Sequence, residues 1–151
     1  MKADVASGSV ELAPSFEDQV CFPLYSAANA VVRAYRPLLQ ALDLTYLQYM
    51  VLMILWDERQ LKVKDICDRM RLDSGTLTPL VKRLEAKGLV TRRRDPEDER
   101  ARLIAITDAG MALREAAREI PGELACRIGI GKGDVAQLRS LCAALLEALD
   151  A

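Results

Sequence analysis

Apolar residues recur along this chain at steps of three and four over most of its length. From Phe16 onward, Val20, Leu24, Ala27, Ala28, Val31, Val32, Tyr35, Leu38 and Leu39 keep a helical spacing. Pro37 must kink that helix or end it near there. Asp43 to Thr45 breaks the pattern, and Thr45 is placed to cap a second helix running through Leu52 to Trp56. This helix is apolar almost all round, so it is expected at the centre of the core. A third, short helix spans Lys62 to Met70, with Val63, Ile66, Cys67 and Met70 inward. A fourth runs from about Ser74 to Lys87 on a stripe of Leu77, Leu80, Val81 and Leu84, and Gly88 stops it. Its cap is either Asp73 or Thr78. Pro79 is expected early in it, where a lost amide donor matters least.

The rhythm then changes. Leu89 to Arg94 and Ala101 to Thr107 are β-capable runs flanking a turn at Asp95-Pro96-Glu97-Asp98-Glu99, which predicts a hairpin. Thr107 or Asp108 is expected to cap a fifth helix reaching about Ile120. Pro121-Gly122 interrupts or kinks it before Cys126, and Gly129 to Gly133 forms a loop. Asp134 is expected to cap a last helix carrying Leu138, Leu141, Cys142, Leu145, Leu146 and Leu149. The fold class that follows is mainly α with a small β-wing: a winged helix-turn-helix over about 45–107. Dimerisation helices are expected over about 16–42 and 108–151, with all of 16–151 in one domain and 1–15 a flexible arm. A core this small cannot cover the last helix's apolar stripe, so pairing with a second copy predicts a homodimer.

The net charge of −1 argues against a nucleic-acid partner until its distribution is considered. Between Arg59 and Arg102 there are 13 Lys and Arg against 8 Asp and Glu, whereas the remainder holds 8 against 14. A basic middle in an acidic frame marks a local phosphate-binding surface. Without a motif, a merely solvated face would explain it as well. Here the motif is present. The second helix of a helix-turn-helix reads base edges near its N-terminus, where this chain carries Ser74, Thr76 and Thr78, followed by Lys82 and Arg83. Short hydroxyls let the backbone approach closely. Among Arg92, Arg93 and Arg94, strand alternation sends one or two toward a minor groove, and Arg93 and Arg94 are the candidates. The acidic turn must have internal partners to tolerate phosphate, and Asp98 with Arg100 is the pair expected to fix the wing's shape.

Four cysteines (Cys21, Cys67, Cys126 and Cys142) lie far apart with no CxxC pair, and histidine is absent. That excludes the usual structural zinc patterns and leaves no metal or other cofactor to expect. The missing histidine also removes the commonest general base, which weakens any hydrolase reading; a wing and a recognition helix would be idle in an enzyme, so the chain is not expected to be one. Met1 to Ser15 has no apolar run resembling a signal peptide, and no window approaches a membrane span, so a cytoplasmic protein with no membrane partner is expected.

The residues Asp73-Ser-Gly-Thr-Leu-Thr-Pro-Leu-Val-Lys-Arg-Leu-Glu85, the wing Arg93-Arg-Asp-Pro-Glu-Asp-Glu-Arg100 and Leu103-Ile-Ala-Ile-Thr-Asp-Ala-Gly110 resemble the MarR family of dimeric winged-helix repressors. The likeness covers nearly all the chain after about Phe16. Cys21-Phe-Pro-Leu-Tyr-Ser-Ala-Ala-Asn29, with Tyr35 and Tyr46 following, looks like the OhrR branch, which senses organic hydroperoxides. The resemblance implies a double-stranded, pseudo-palindromic DNA operator, and a sensing cysteine at Cys21 held by Tyr35 and Tyr46. It also implies a second cysteine just beyond the fifth helix, a place that Cys126 occupies, closing a disulfide between subunits. Cys67 and Cys142 have no role in that pattern and are expected to pack.

Peroxide oxidises a thiolate, and the sensor therefore needs exposure and groups that stabilise the anion. A helix N-terminus and the two phenols supply such groups. Tyr35 lies four helical turns beyond Cys21, so the phenols are expected to reach the cysteine of the other subunit. Phe16, Phe22, Leu24 and Met50 are candidates to line a pocket for an apolar hydroperoxide, or are plain core. Two alternatives stand beside this reading: a repressor answering to a small aromatic ligand, and a thiol peroxidase using Cys21 and Cys126.

Overall fold

The structure, a computed structural model, describes residues 15–150 of the 151-residue chain. The flexible arm expected over 1–15 lies, Ser15 apart, outside those residues. The chain divides into two compact units, with the break after Arg33. The described part of the first unit contains a short turn segment whose Phe16 ring packs, tilted, against that of Phe22 in the following helix, with centroids 4.4 Å apart. The helix α1 (Cys21–Gln40) begins in this unit, and Pro37 falls inside it without ending it.

The second unit holds the end of α1 followed by α2 (Tyr46–Glu58), β1 (Gln60–Lys62), α3 (Val63–Met70), α4 (Ser74–Ala86), β2 (Val90–Arg94) and β3 (Arg102–Ile106). Then come α5 (Asp108–Ala116), α6 (Ile120–Ile128) and α7 (Lys132–Asp150). The helix α2 starts where Thr45 predicts. The Thr45 hydroxyl accepts the Gln48 amide, and the Gln48 side chain accepts the Thr45 amide, a closed capping box. Its Gln48, Tyr49, Val51, Leu52, Leu55 and Trp56 are all buried, as its all-round apolar sequence requires. Around them close Ile66 and Cys67 of α3, Leu77, Leu80, Val81 and Leu84 of α4, Val90 of β2 and Ile104 of β3.

The sheet has three antiparallel strands in the order β1-β3-β2. The hairpin was expected, but β1 was not. Its three residues pair only with β3, Leu61 facing Ile104, a partner far along the chain. Two helix boundaries also differ from expectation. The fifth helix ends at Ala116, and α6 starts at Ile120 with Pro121 in its first turn, where the missing amide is harmless. The last helix begins before Asp134: the Val135 amide already bonds the Gly131 carbonyl, so Asp134 sits inside the first turn rather than capping it.

Gly110 in α5 is required by close approach. A Cβ there would lie 2.3 Å from the Leu89 carbonyl oxygen and 2.7 Å from Ile106 Cγ1. Its carbonyl accepts the Trp56 indole N–H at 2.9 Å, tying α5 to α2. By contrast α7 has no buried residue, and Leu138, Leu141, Leu145, Leu146 and Leu149 are exposed.

Candidate nucleic-acid interface and thiol site

The pair α3 and α4 forms a helix-turn-helix. Arg71 makes the turn in the left-handed region at φ 52°, and the Leu72 amide closes on the Cys67 carbonyl at 3.0 Å. Asp73, not Thr78, caps α4: its carboxylate accepts the Thr76 amide at 2.7 Å and the Thr76 hydroxyl at 3.2 Å. These bonds hold the Asp73 carboxyl below its ordinary range. With the cap fixed there, Pro79 falls in the second turn. The missing amide is one that the Gly75 carbonyl would otherwise accept, so Pro79 is not in the forgiving first turn as expected. Gly88, at φ 73°, then ends the helix, and the Leu89 amide returns to the Leu84 carbonyl.

The residues expected to contact DNA lie on α4 and β2. Ser74, Thr76, Lys82 and Arg83 are exposed on α4, and Thr78 is half-buried. On β2, Arg93 and Arg94 are exposed, while Arg92 is half-buried and pairs its Nε with Glu85 at 3.2 Å. Arg93 donates to the Gln60 side chain at 3.0 Å. Between α4 and the wing lies a cleft of 570 Å³ whose lining includes Lys62, Lys64, Thr78, Arg100 and Arg102.

The wing's internal pairing differs from expectation. The Asp98 carboxylate accepts the Arg100 backbone amide at 3.0 Å, a turn-forming bond, and no ion pair joins the two side chains among the described residues. The acid that carries the ion pair is Asp95. It is buried, its Oδ2 lies 3.0 Å from Lys62 Nζ, and its Oδ1 accepts the Glu97 amide at 3.0 Å. The Glu97 amide and the Lys62 ammonium hold its carboxyl below the usual range, and the same contact raises Lys62. No local pattern signals this pair, because Lys62 belongs to β1, a strand defined only by its pairing with the distant β3.

Of the four cysteines, Cys21 and Cys126 are exposed, Cys67 is buried and Cys142 is half-buried. Cys21 is the first residue of α1, and Cys126 lies in α6. Burial pushes the Cys67 thiol up, as suits an unreactive core residue. In the second unit the Tyr35 and Tyr46 rings pack with centroids 5.0 Å apart. Tyr49, which sequence reading did not single out, joins Tyr35 at 5.8 Å. Burial first, and the neighbouring phenols second, raise Tyr35, so its hydroxyl stays a proton donor at neutral pH. Met50 lines a 560 Å³ cavity with Tyr46, Leu47, Met53, Arg69 and Met70. The other three candidates for an apolar pocket, Phe16, Phe22 and Leu24, are exposed in the first unit. Among the described residues no cluster of potential metal ligands occurs, and no helix is long and apolar enough to cross a membrane.

A helix-turn-helix followed by a two-stranded wing, with exposed basic residues on α4 and β2, defines a winged-helix regulator of the DNA-binding class. The family model described as "MarR family" matches residues 44–101. The chain is 45% identical to the organic hydroperoxide resistance transcriptional regulator of Bacillus subtilis over 136 residues, 88% of this chain and 90% of that protein. It therefore belongs to the MarR family, whose members regulate transcription and are not enzymes. Among solved structures it is similar to reduced AbfR bound to DNA, at 30% identity with a TM-score of 0.76, covering 89% of this chain and 94% of that one. It is also similar to the disulfide-formed AbfR, again at 30% identity, with a TM-score of 0.60 and 89% of each chain covered. A solved AbfR structure is from Staphylococcus epidermidis.

Proposed function

We propose that the chain is a homodimeric repressor that holds a pseudo-palindromic DNA operator until an organic hydroperoxide oxidises Cys21. The observation that carries this reading is the exposed Cys21 thiol opening α1 in a chain so similar to a hydroperoxide-resistance regulator. A helix N-terminus favours a thiolate through its dipole and free amides. The Tyr35 and Tyr46 hydroxyls of one subunit serve as donors to the Cys21 sulfur of its partner. The apolar faces of α7 and its mate form much of the dimer contact. Ser74, Thr76, Thr78, Lys82 and Arg83 contact the major groove and its phosphates, while Arg93 and Arg94 enter the minor groove.

The chemistry balances without a cofactor. The thiolate attacks the terminal peroxide oxygen, the O–O bond breaks, and the alkoxide leaves with a proton as the alcohol. This gives a sulfenic acid on Cys21. Cys126 of the partner subunit then attacks that sulfur, an S–S bond forms, and the oxygen departs as water. The sulfurs must close to about 2 Å. Helices that carry them move accordingly, and the two recognition helices lose the half-site spacing near one DNA turn that a dimer must match. In AbfR the disulfide-formed subunit is less like this chain than the reduced, DNA-bound one, at TM-scores of 0.60 and 0.76, so in that relative the two states differ within the subunit.

The test uses a duplex selected by the wild-type protein from a random-sequence pool, with one equivalent of cumene hydroperoxide and non-reducing gels alongside. Wild type is expected to release the duplex and run as a covalent dimer. Cys21→Ser should keep its grip, and Cys126→Ser should form no covalent dimer. Release from Cys21→Ser after oxidation sinks the sensor assignment, and an unaltered gel for Cys126→Ser sinks the disulfide.

A further inference from the structure

We propose that Asp95 and Lys62 form a positioning pair that aims the wing's arginines at DNA. The inference rests on the DNA-binding reading above and adds how the wing is held. Among the described residues, Asp95 is the one buried carboxylate, 5% exposed where β2 gives way to the turn. Its own amide donates to the Ala101 carbonyl at 3.0 Å, which closes the base of the turn. Its two carboxylate oxygens are both engaged, one by the Glu97 amide and one by Lys62 Nζ, each at 3.0 Å. Lys62 in turn ends β1 and is the N-cap residue of α3, where the helix-turn-helix begins. One side chain thus joins the wing to the first helix of the DNA-reading motif.

The wing needs that joint because its strands oppose like charges. In the β2–β3 register Arg94 faces Arg102, and Arg93 precedes Arg94 on the same strand. Like charges directly across a ladder repel and open the hairpin at this end. Asp95, next to Arg94, pulls the same end down onto β1 and holds it there. It also removes one of the turn's four negative charges from the phosphate's path, since a buried, paired carboxylate presents little field outward. Neither Asp95 nor Lys62 has to touch DNA for this. They act through Arg93 and Arg94.

The experiment measures affinity for the pool-selected duplex in a double-mutant cycle. Arg94→Ala is made in wild type and in the doubly neutral Lys62→Met/Asp95→Asn variant, which leaves neither charge buried without its partner, with circular dichroism melts confirming the fold. In wild type, Arg94→Ala is expected to weaken binding by about tenfold, the usual scale for a groove-reading arginine. In the doubly neutral background the same change is expected to cost less than about twofold, because the arginine is no longer aimed. An equal cost in both backgrounds makes the pair a stabilising contact only and overturns the inference, as does an Arg94→Ala change without effect in wild type. A wild-type protein that enriches no sequence from the pool sinks the DNA-binding reading itself, a separate result.

Discussion

Leucines at helical spacing meet opposite fates in two regions of this chain. In the winged half, Leu52, Leu55, Leu77 and Leu84 have no exposed surface at all. In α7, Leu141 is 61% exposed and Leu149 74%, and no residue of the helix is buried. The winged half closes on itself. The last helix keeps a stripe of apolar surface that the described residues do not cover. The lesson is that one pattern, read as amphipathic helix, says nothing about whose core it serves. The largest effect expected in this comparison is therefore local to the winged half: Leu84→Ala should lose about 2–5 kcal/mol of stability. Thermal melts check it, and the loss should not depend on protein concentration.

The second effect should appear only where copies meet. Leu141→Glu with Leu145→Glu places two carboxylates on the exposed stripe of α7. If that stripe is a dimer surface, association should weaken by about 100-fold, near 2.7 kcal/mol. Sedimentation should then report monomers, and the melting temperature should lose its dependence on concentration. A variant that remains a dimer with wild-type affinity would show that the stripe is not the contact.

Most of the winged half was legible because its signals are local. Thr45 before an apolar run, Gly88 after one, and the turn between two β-capable runs each act within a few residues, and each element appeared where they predicted. What escaped reading depends on partners distant in sequence. The strand β1 is three residues with no period of its own, and exists because β3 offers Ile104 and Leu103 to pair with. Asp98 and Arg100 look like a pair in sequence, but the buried acid is Asp95, whose cation comes from that same unseen strand. The choice of Asp73 over Thr78 as cap decided the standing of Pro79, since a cap shifts every position after it. For the thiol site, the residues were legible as types at a spacing. Tyr49 was not, because its role is to pack on Tyr35, a contact no spacing rule encodes.

A smaller effect tests how tightly the winged half closes. Gly110→Ala puts a methyl group against the Leu89 carbonyl, which is backbone and cannot swing aside. A loss of about 1–3 kcal/mol is expected, the scale of an overpacked core. The displaced α5 should also disturb the Trp56 indole bond to the Gly110 carbonyl, so a change in tryptophan fluorescence should accompany the lower melting point. An unchanged melt would mean that α5 is looser against the wing than the geometry indicates.

The smallest effect separates a charge from a cap at the start of the recognition helix. The Thr76 amide and hydroxyl hold the Asp73 carboxyl below its ordinary value of 3.8. A carboxyl depressed on folding contributes stability that is present above that value and is lost as pH falls through the lower, folded one. Stability of the winged half should therefore decline on the acid side of pH 4, in part through Asp73. Asn caps helices about as well as Asp but does not titrate. Asp73→Asn should thus match wild type near neutral pH within experimental error of the melts, and show a shallower decline below pH 4. An equally steep decline in the variant would assign the acid sensitivity to other carboxylates, with Asp95, depressed by the Glu97 amide and Lys62, the first to examine. Because α7 carries no cap bond to a titrating side chain of this kind among the described residues, the difference should persist when its apolar stripe is disrupted by the paired glutamates.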